Sequence, residues 1–261
     1  MFHPAPILAF FITLLTATGG PALDQIDFAA RFKGYDGCFV LQPLDGQWSL
    51  RYNDTRCALR LSPCSTSKIF NALAALEAKV IESPEEKFKW DGTPQNRKVC
   101  EQDHNLITAI RDSVVWYFQI TAGKVGQERM QQYLDAADYG NRDMSGGLTQ
   151  FWLQSSLEIS ADEQVRFLRK LYTDKLEFRP EAMATVRKLI VLEKGKDWTF
   201  SGKTGTGGSG GKMVMGWFVG HVESHGRQYI FAANIRAEDG ALGMKAKEIT
   251  KSILKDLHLI E

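Results

Sequence analysis

Apolar-rich runs at 37–41 and 48–52 flank Asp45-Gly46, a hairpin signal in which glycine supplies a positive φ. Three more such runs, 198–203, 212–222 and 228–235, read as strands near the other end of the chain. The last two are joined across Glu223-Ser224-His225-Gly226. Between these regions, apolar residues at three- and four-residue spacing predict helices over about 65–80, 113–122, 126–137, 161–173 and 180–190. An amphipathic helix over about 244–257 closes the chain. Strands at both ends with helices between them predict an α+β fold: an antiparallel sheet built from both chain ends and an inserted helical lobe. A cleft forms where the two meet.

The first two dozen residues follow another pattern. Residues 6–16 are uncharged and apolar, and small residues follow through Ala22. That is the core of a signal peptide, too short to span a bilayer as a helix, with cleavage expected after Ala22. The segment before the run has neither Lys nor Arg, so an uncleaved anchor is the alternative. The sheet lobe then takes about 23–62 and 195–261, and the helical lobe about 63–194. No later segment is apolar enough for a membrane span, and the mature chain is expected to be soluble, periplasmic or secreted.

With 44% hydrophobic and 24% charged residues in 261, the chain buries a sizeable core and is neither disordered nor fibrous. Lys and Arg number 32 against 31 Asp and Glu, a net charge of +1, which leaves no electrostatic footprint for nucleic acid or anionic lipid. The expected partner is a small molecule. The four cysteines, Cys38, Cys57, Cys64 and Cys100, permit disulfides in an oxidising compartment, and buried free thiols remain equally open. Neither they nor the histidines show metal-ligand spacing, so no metal is expected.

The chemistry starts at Ser65-Thr66-Ser67-Lys68, which follows Pro63 and opens an apolar helical run. Ser65 then sits at a helix amino end with Lys68 three residues on, over the same face. A serine hydroxyl needs a base to take its proton, and a lysine serves only when neutral. From a pKa near 10.4 that requires a depression of roughly three units, about 4 kcal/mol, which burial can supply. The plain alternative is a helix cap with a solvated lysine.

Further elements weigh against the plain alternative. Ser113-Val114-Val115, Tyr139-Gly140-Asn141 and Lys203-Thr204-Gly205 follow in order, with Trp90-Asp91-Gly92, Asp103-His104-Asn105-Leu106, Gln150-Phe151-Trp152-Leu153 and Gly216-Trp217-Phe218-Val219-Gly220. From residue 37 to about 235 the chain resembles the class D, or oxacillinase-type, serine β-lactamases. The resemblance implies the fold shared by serine β-lactamases and penicillin-binding transpeptidases, with residues 23–261 as one catalytic domain. It implies hydrolysis of penicillin-type antibiotics, with Ser65 acylated and Lys68 acting as an N-carboxylated base that needs carbon dioxide or bicarbonate but no other cofactor. Val115, Phe118, Trp152 and Leu153 would line the carbamate pocket, the indole of Trp152 donating to it. Ser113 would pass a proton to the leaving nitrogen, while Lys203, Thr204 and Gly205 hold the substrate carboxylate. The backbone N–H groups of Ser65 and Thr206 would form the oxyanion hole. Tyr139-Gly140-Asn141 taken alone is a turn, with a structural role.

Three departures from the family pattern stand out. Ser67 replaces a usual phenylalanine, Cys64 precedes the nucleophile, and no arginine stands just before the last helix, which leaves Lys245 as the candidate for the carboxylate. The glycine-rich stretch 205–210 matches a dinucleotide fingerprint, but a strand-like segment follows it where a helix is needed. The closer rival is a penicillin-sensing or penicillin-binding domain, acylated without rapid release. Such a sensor is normally joined to a membrane-spanning portion, and none is expected here. A monomer or a homodimer fits equally well.

Overall fold

The computed structural model describes residues 26–261, so the signal-peptide expectation lies outside the described residues. A six-stranded sheet runs in the order β2-β1-β6-β5-β4-β3, with every neighbouring pair antiparallel. The strands are β1 (Asp36–Pro43), β2 (Leu50–Tyr52), β3 (Val191–Lys194), β4 (Trp198–Ser209), β5 (Lys212–Ser224) and β6 (Arg227–Arg236). The two chain ends meet in this sheet, as β1 pairs with β6 from Asp36 opposite Arg236 to Pro43 opposite Tyr229. The glycine-rich stretch 205–210 belongs to the β4–β5 hairpin and opens no helix. The β5–β6 turn is His225-Gly226 with φ of +50° and +74°, the left-handed pair that matches the twist of a two-residue hairpin.

Side chains leave a strand on alternate sides, and the sheet uses both. Cys38, Val40, Trp217, Val219, Ile230 and Ala232 face one core. That core also holds α3 (Lys68–Glu77), α5 (Val115–Val125), α6 (Gln127–Ala137), α7 (Ala161–Tyr172) and α8 (Pro180–Leu189). Phe39, Leu41, Phe218, Phe231 and Ile235 face a second core closed by α9 (Gly243–Asp256). Helix starts are capped as their sequences dictate: Ser160 and Glu163 form a reciprocal box on α7, and Pro180 takes the first position of α8.

Four short elements lack a periodic signal: α1 (Phe28–Arg31), α2 (Asp54–Ala58), α4 (Leu106–Arg111) and β3. Two predicted helices also begin late. The first turn of the 65–80 helix is a 3-10 turn, Cys64–Ser67. The 113–122 helix starts at Val115 because Ser113 adopts φ +57°, which no helix accommodates. No helix of the described residues is long and apolar enough to cross a membrane.

Candidate active site

The 3-10 turn sets the geometry of the SxxK residues. Cys64 enters it at φ +49°, and two hydroxyls close it: Thr66 donates to the Pro63 carbonyl and Ser67 to the Cys64 carbonyl, both at 2.7 Å. Ser67 therefore fills its buried position as a satisfied hydroxyl where the family has an aromatic ring. The turn leaves Ser65 half-buried and places Lys68 entirely out of solvent, with its Nζ joined to Ser65 Oγ by a 2.8 Å hydrogen bond. The amine lies 5.6 Å from the centre of the Phe118 ring. Burial, followed by the neighbouring charge of Lys203, holds Lys68 well below the usual lysine range, which favours the neutral amine beside the hydroxyl. Cys64 is buried too, and burial pushes its thiol up to about 11, away from nucleophilic character.

Sheet and turn meet along β4. Strand β3 pairs with β4 only at Thr199–Ser201, so 203–206 run along an edge free of β3. Gly205 lets that edge close on the nucleophile turn, since a Cβ there would stand 2.9 Å from the Pro63 carbonyl oxygen and 3.2 Å from the Thr66 nitrogen. The missing side chain thus serves an approach within the protein. Thr206 is exposed at the same edge and accepts from the Gly243 N–H through its hydroxyl at 2.9 Å. Lys203 is buried and donates across the crevice to the Ser113 hydroxyl at 3.1 Å. Burial and the charge of Arg97 bring its pKa down to about 7. Ser113 caps no helix; α5 starts without a side-chain cap.

The expected carbamate pocket is divided between core and crevice. Phe118 and Trp152 are fully buried, Leu153 packs half-buried against the same core, and Val115 opens α5 half-buried. The indole nitrogen of Trp152 is buried and finds no partner among the described residues. Lys245 lies elsewhere: it is exposed and held by Glu248 at 2.7 Å. The cavity of about 210 Å³ that includes Lys203 and Thr204 is lined instead by Met244 and Lys247 of α9 and by Ile110 and Arg111. The reason is periodicity, because α9 buries Ala246 and turns Lys245 outward.

Other residues support the site without a motif of their own. Ser62 donates to the Trp152 carbonyl at 3.2 Å and accepts from the Gln154 N–H at 3.0 Å, tying the nucleophile turn to the loop after Phe151. Gln164, buried on α7, donates to the Thr66 hydroxyl at 2.9 Å from behind. A polar residue on the apolar face of α7 was the available signal. Tyr139 stacks on Phe70 at 5.1 Å, and Asn141 bonds the backbone at Ser156 and Glu158, so this turn braces the helices. All four cysteines are buried free thiols.

A family model described as the penicillin binding protein transpeptidase domain matches residues 30–256. The crystal structure of a class D β-lactamase from Bacillus subtilis superposes with a TM-score of 0.86 at 39% identity, covering 92% of this chain and 98% of that one. The chain belongs to the class D β-lactamases. The probable β-lactamase YbxI of Bacillus subtilis strain 168 is 41% identical over 229 residues, 88% of this chain and 84% of that protein. The regulatory protein BlaR1 of Bacillus licheniformis is 36% identical over 237 residues, and this chain spans 39% of its length. The family and the fold expected from the sequence both hold.

Proposed function

We propose that the enzyme hydrolyses the amide of β-lactam antibiotics, and so confers resistance to them, through an acyl-enzyme on Ser65 with Lys68 as general base. The observation that carries this reading is the 2.8 Å hydrogen bond between a half-buried hydroxyl and a wholly buried amine held below its ordinary pKa. Lys68 takes the Ser65 proton as Oγ bonds to the lactam carbonyl carbon. The oxyanion is met by the backbone N–H groups of Ser65 and Thr206. Collapse breaks the C–N bond, and the proton held by Lys68 is relayed through the Ser113 hydroxyl, which faces Lys203, to the leaving nitrogen, so that both groups end as they began. Lys68 then deprotonates a water that attacks the ester carbonyl, and returns that proton to the Ser65 oxygen as the ester C–O bond breaks. Lys203 and Thr204 receive the substrate carboxylate.

The base is proposed to work as the carbamate. A neutral amine adds carbon dioxide at carbon and loses one proton, giving an anionic base that no longer depends on the lysine's own pKa. The unpartnered indole N–H of Trp152 supports this, since a buried donor without an acceptor costs about 1–3 kcal/mol and a carbamate oxygen would relieve it. The site of action is proposed to be periplasmic or secreted.

Turnover of a chromogenic cephalosporin with and without bicarbonate tests both parts. Activity lost on removal of carbon dioxide and restored by bicarbonate is expected. The kinship with BlaR1 supports a second reading, a domain acylated without release. Mass spectrometry of a long-lived adduct at Ser65 with no turnover selects that reading. Lys68→Ala is expected to slow deacylation at least as much as acylation, by about 10²–10⁴-fold.

A further inference from the structure

The loop between α3 and α4 brings a cation to the turn that precedes Ser113. Arg97 precedes a 3-10 turn, Lys98–Cys100, and one Nη of its guanidinium donates to the Asp112 carbonyl and lies 3.4 Å from Cys100 Sγ. Asp112 ends α4, and the next residue is Ser113 at φ +57°, a conformation that costs a non-glycine residue free energy and persists only where its surroundings hold it. On the backbone, the Asp112 N–H reaches Thr108 and the Val114 N–H reaches Ala109, both at 2.9 Å. Arg97 adds a side-chain clamp on the carbonyl between them.

The Arg97 side chain is exposed, and the Asp112 carboxylate feels its charge. Both carboxylates on the adjoining turns are engaged by other cations, Glu101 by Lys98 at 2.5 Å and Asp112 by Arg111 at 2.7 Å. Arg97 itself has no ion pair among the described residues. Its field acts on both buried amines and favours their neutral forms. The other groups facing these amines are Cys64 from the nucleophile turn, Cys100 from the 3-10 turn, and each lysine facing the other.

We propose that Arg97 is a positioning residue for proton transfer: it clamps the Asp112–Ser113 turn that presents the Ser113 hydroxyl to Lys203, and it places its positive charge beside that turn. This rests on the roles given above to Lys68 and Ser113. Burial is the larger cause of the depressed lysines and the Arg97 charge adds to it, and none of the motifs quoted above includes residue 97.

The test compares Arg97→Gln, Arg97→Lys and Arg97→Ala with the parent, folding being checked by thermal melting. Single-turnover acylation by a chromogenic cephalosporin is read from pH 6 to 9, alongside the bicarbonate concentration giving half-maximal turnover. Arg97→Gln is expected to move the acid limb of acylation upward by half to one pH unit, and to raise the bicarbonate requirement about three- to tenfold at pH 7. Arg97→Lys, which keeps the charge, restores the limb. Arg97→Ala also slows acylation at its pH optimum, where charge no longer limits the rate. Parental pH profiles in both Arg97→Gln and Arg97→Ala overturn the proposal. A carbamate carbon signal from ¹³C-bicarbonate, read on the parent, separates the outcomes: its absence defeats the carboxylated-lysine reading, while the acylation profile still decides Arg97.

Discussion

The indole N–H of Trp217 donates to the carbonyl of Ser62 at 3.0 Å, tying the middle of the sheet to the chain three residues before the nucleophile. Ser62 in turn holds the Trp152 carbonyl, so one chain of hydrogen bonds runs from β5 through the nucleophile turn to the wall of the lysine pocket. A frame of that kind fixes reacting groups before substrate arrives.

Trp217→Phe keeps the ring in the core and removes the donor. The buried Ser62 carbonyl then loses its partner, at a cost of about 1–3 kcal/mol. Urea unfolding should report that loss, and acylation should slow more than substrate binding weakens. A variant with parental stability and rate would show that the sheet does not position the turn.

Lys68→Met should make the protein more stable while abolishing turnover. The folded pKa of Lys68 is depressed, so between that value and the unfolded value near 10.5 the unfolded chain binds a proton that the folded chain does not. Stability contributed by this group therefore rises with pH across the window, and the burial penalty is greatest at its acid end. Methionine removes the penalty, for a gain of about 0.5–2 kcal/mol. In bicarbonate-free buffer the gain should shrink from pH 6 toward pH 10. A gain that grows with pH would contradict the buried neutral amine.

The large periodic elements were legible in the sequence because each has one apolar face against one core. Strands β1, β5 and β6 read correctly for the same reason: their alternate residues enter two cores. The short elements were not legible, since α4 and β3 are six and four residues long and owe their form to a capping box and to a neighbouring strand. Ser65, Lys68, Ser113 and Lys203 stood out through motif order, and the fold brings them into two hydrogen-bonded pairs. Lys245 lies outside that group, since its position beside the motif carried no information about which way α9 turns it. Ser62 and Arg97 were invisible because each acts through a backbone contact whose partner lies at least 15 residues away, and Gln164 showed only as a polar residue on an apolar helix face.

Gly205→Ala probes the seam between sheet and turn. The new methyl group would press on the Pro63 carbonyl oxygen at 2.9 Å, and Gly243 blocks retreat, since its own missing Cβ faces the Gly205 carbonyl. Overpacking of this kind costs about 1–3 kcal/mol. Displacement of Ser65 by an ångström costs about 10²-fold in rate. Thermal melting and acylation kinetics should show both losses, whereas a methyl group accepted without either would mean that the seam is loose.

Trp152→Phe isolates the orphaned indole. The ring stays in the core, so packing changes little, but the donor expected to meet a carbamate oxygen is gone. A charge-assisted hydrogen bond of this type contributes about 1.5–3 kcal/mol, equivalent to roughly 10- to 150-fold in the carboxylation equilibrium. The variant should need correspondingly more bicarbonate for half-maximal turnover and approach parental rates when saturated. Its folded stability without bicarbonate should equal or exceed that of the parent, because a buried unpaired N–H has been removed. Loss of activity that no bicarbonate concentration restores would assign Trp152 to the architecture of the pocket, leaving Lys68 to be stabilised in some other way.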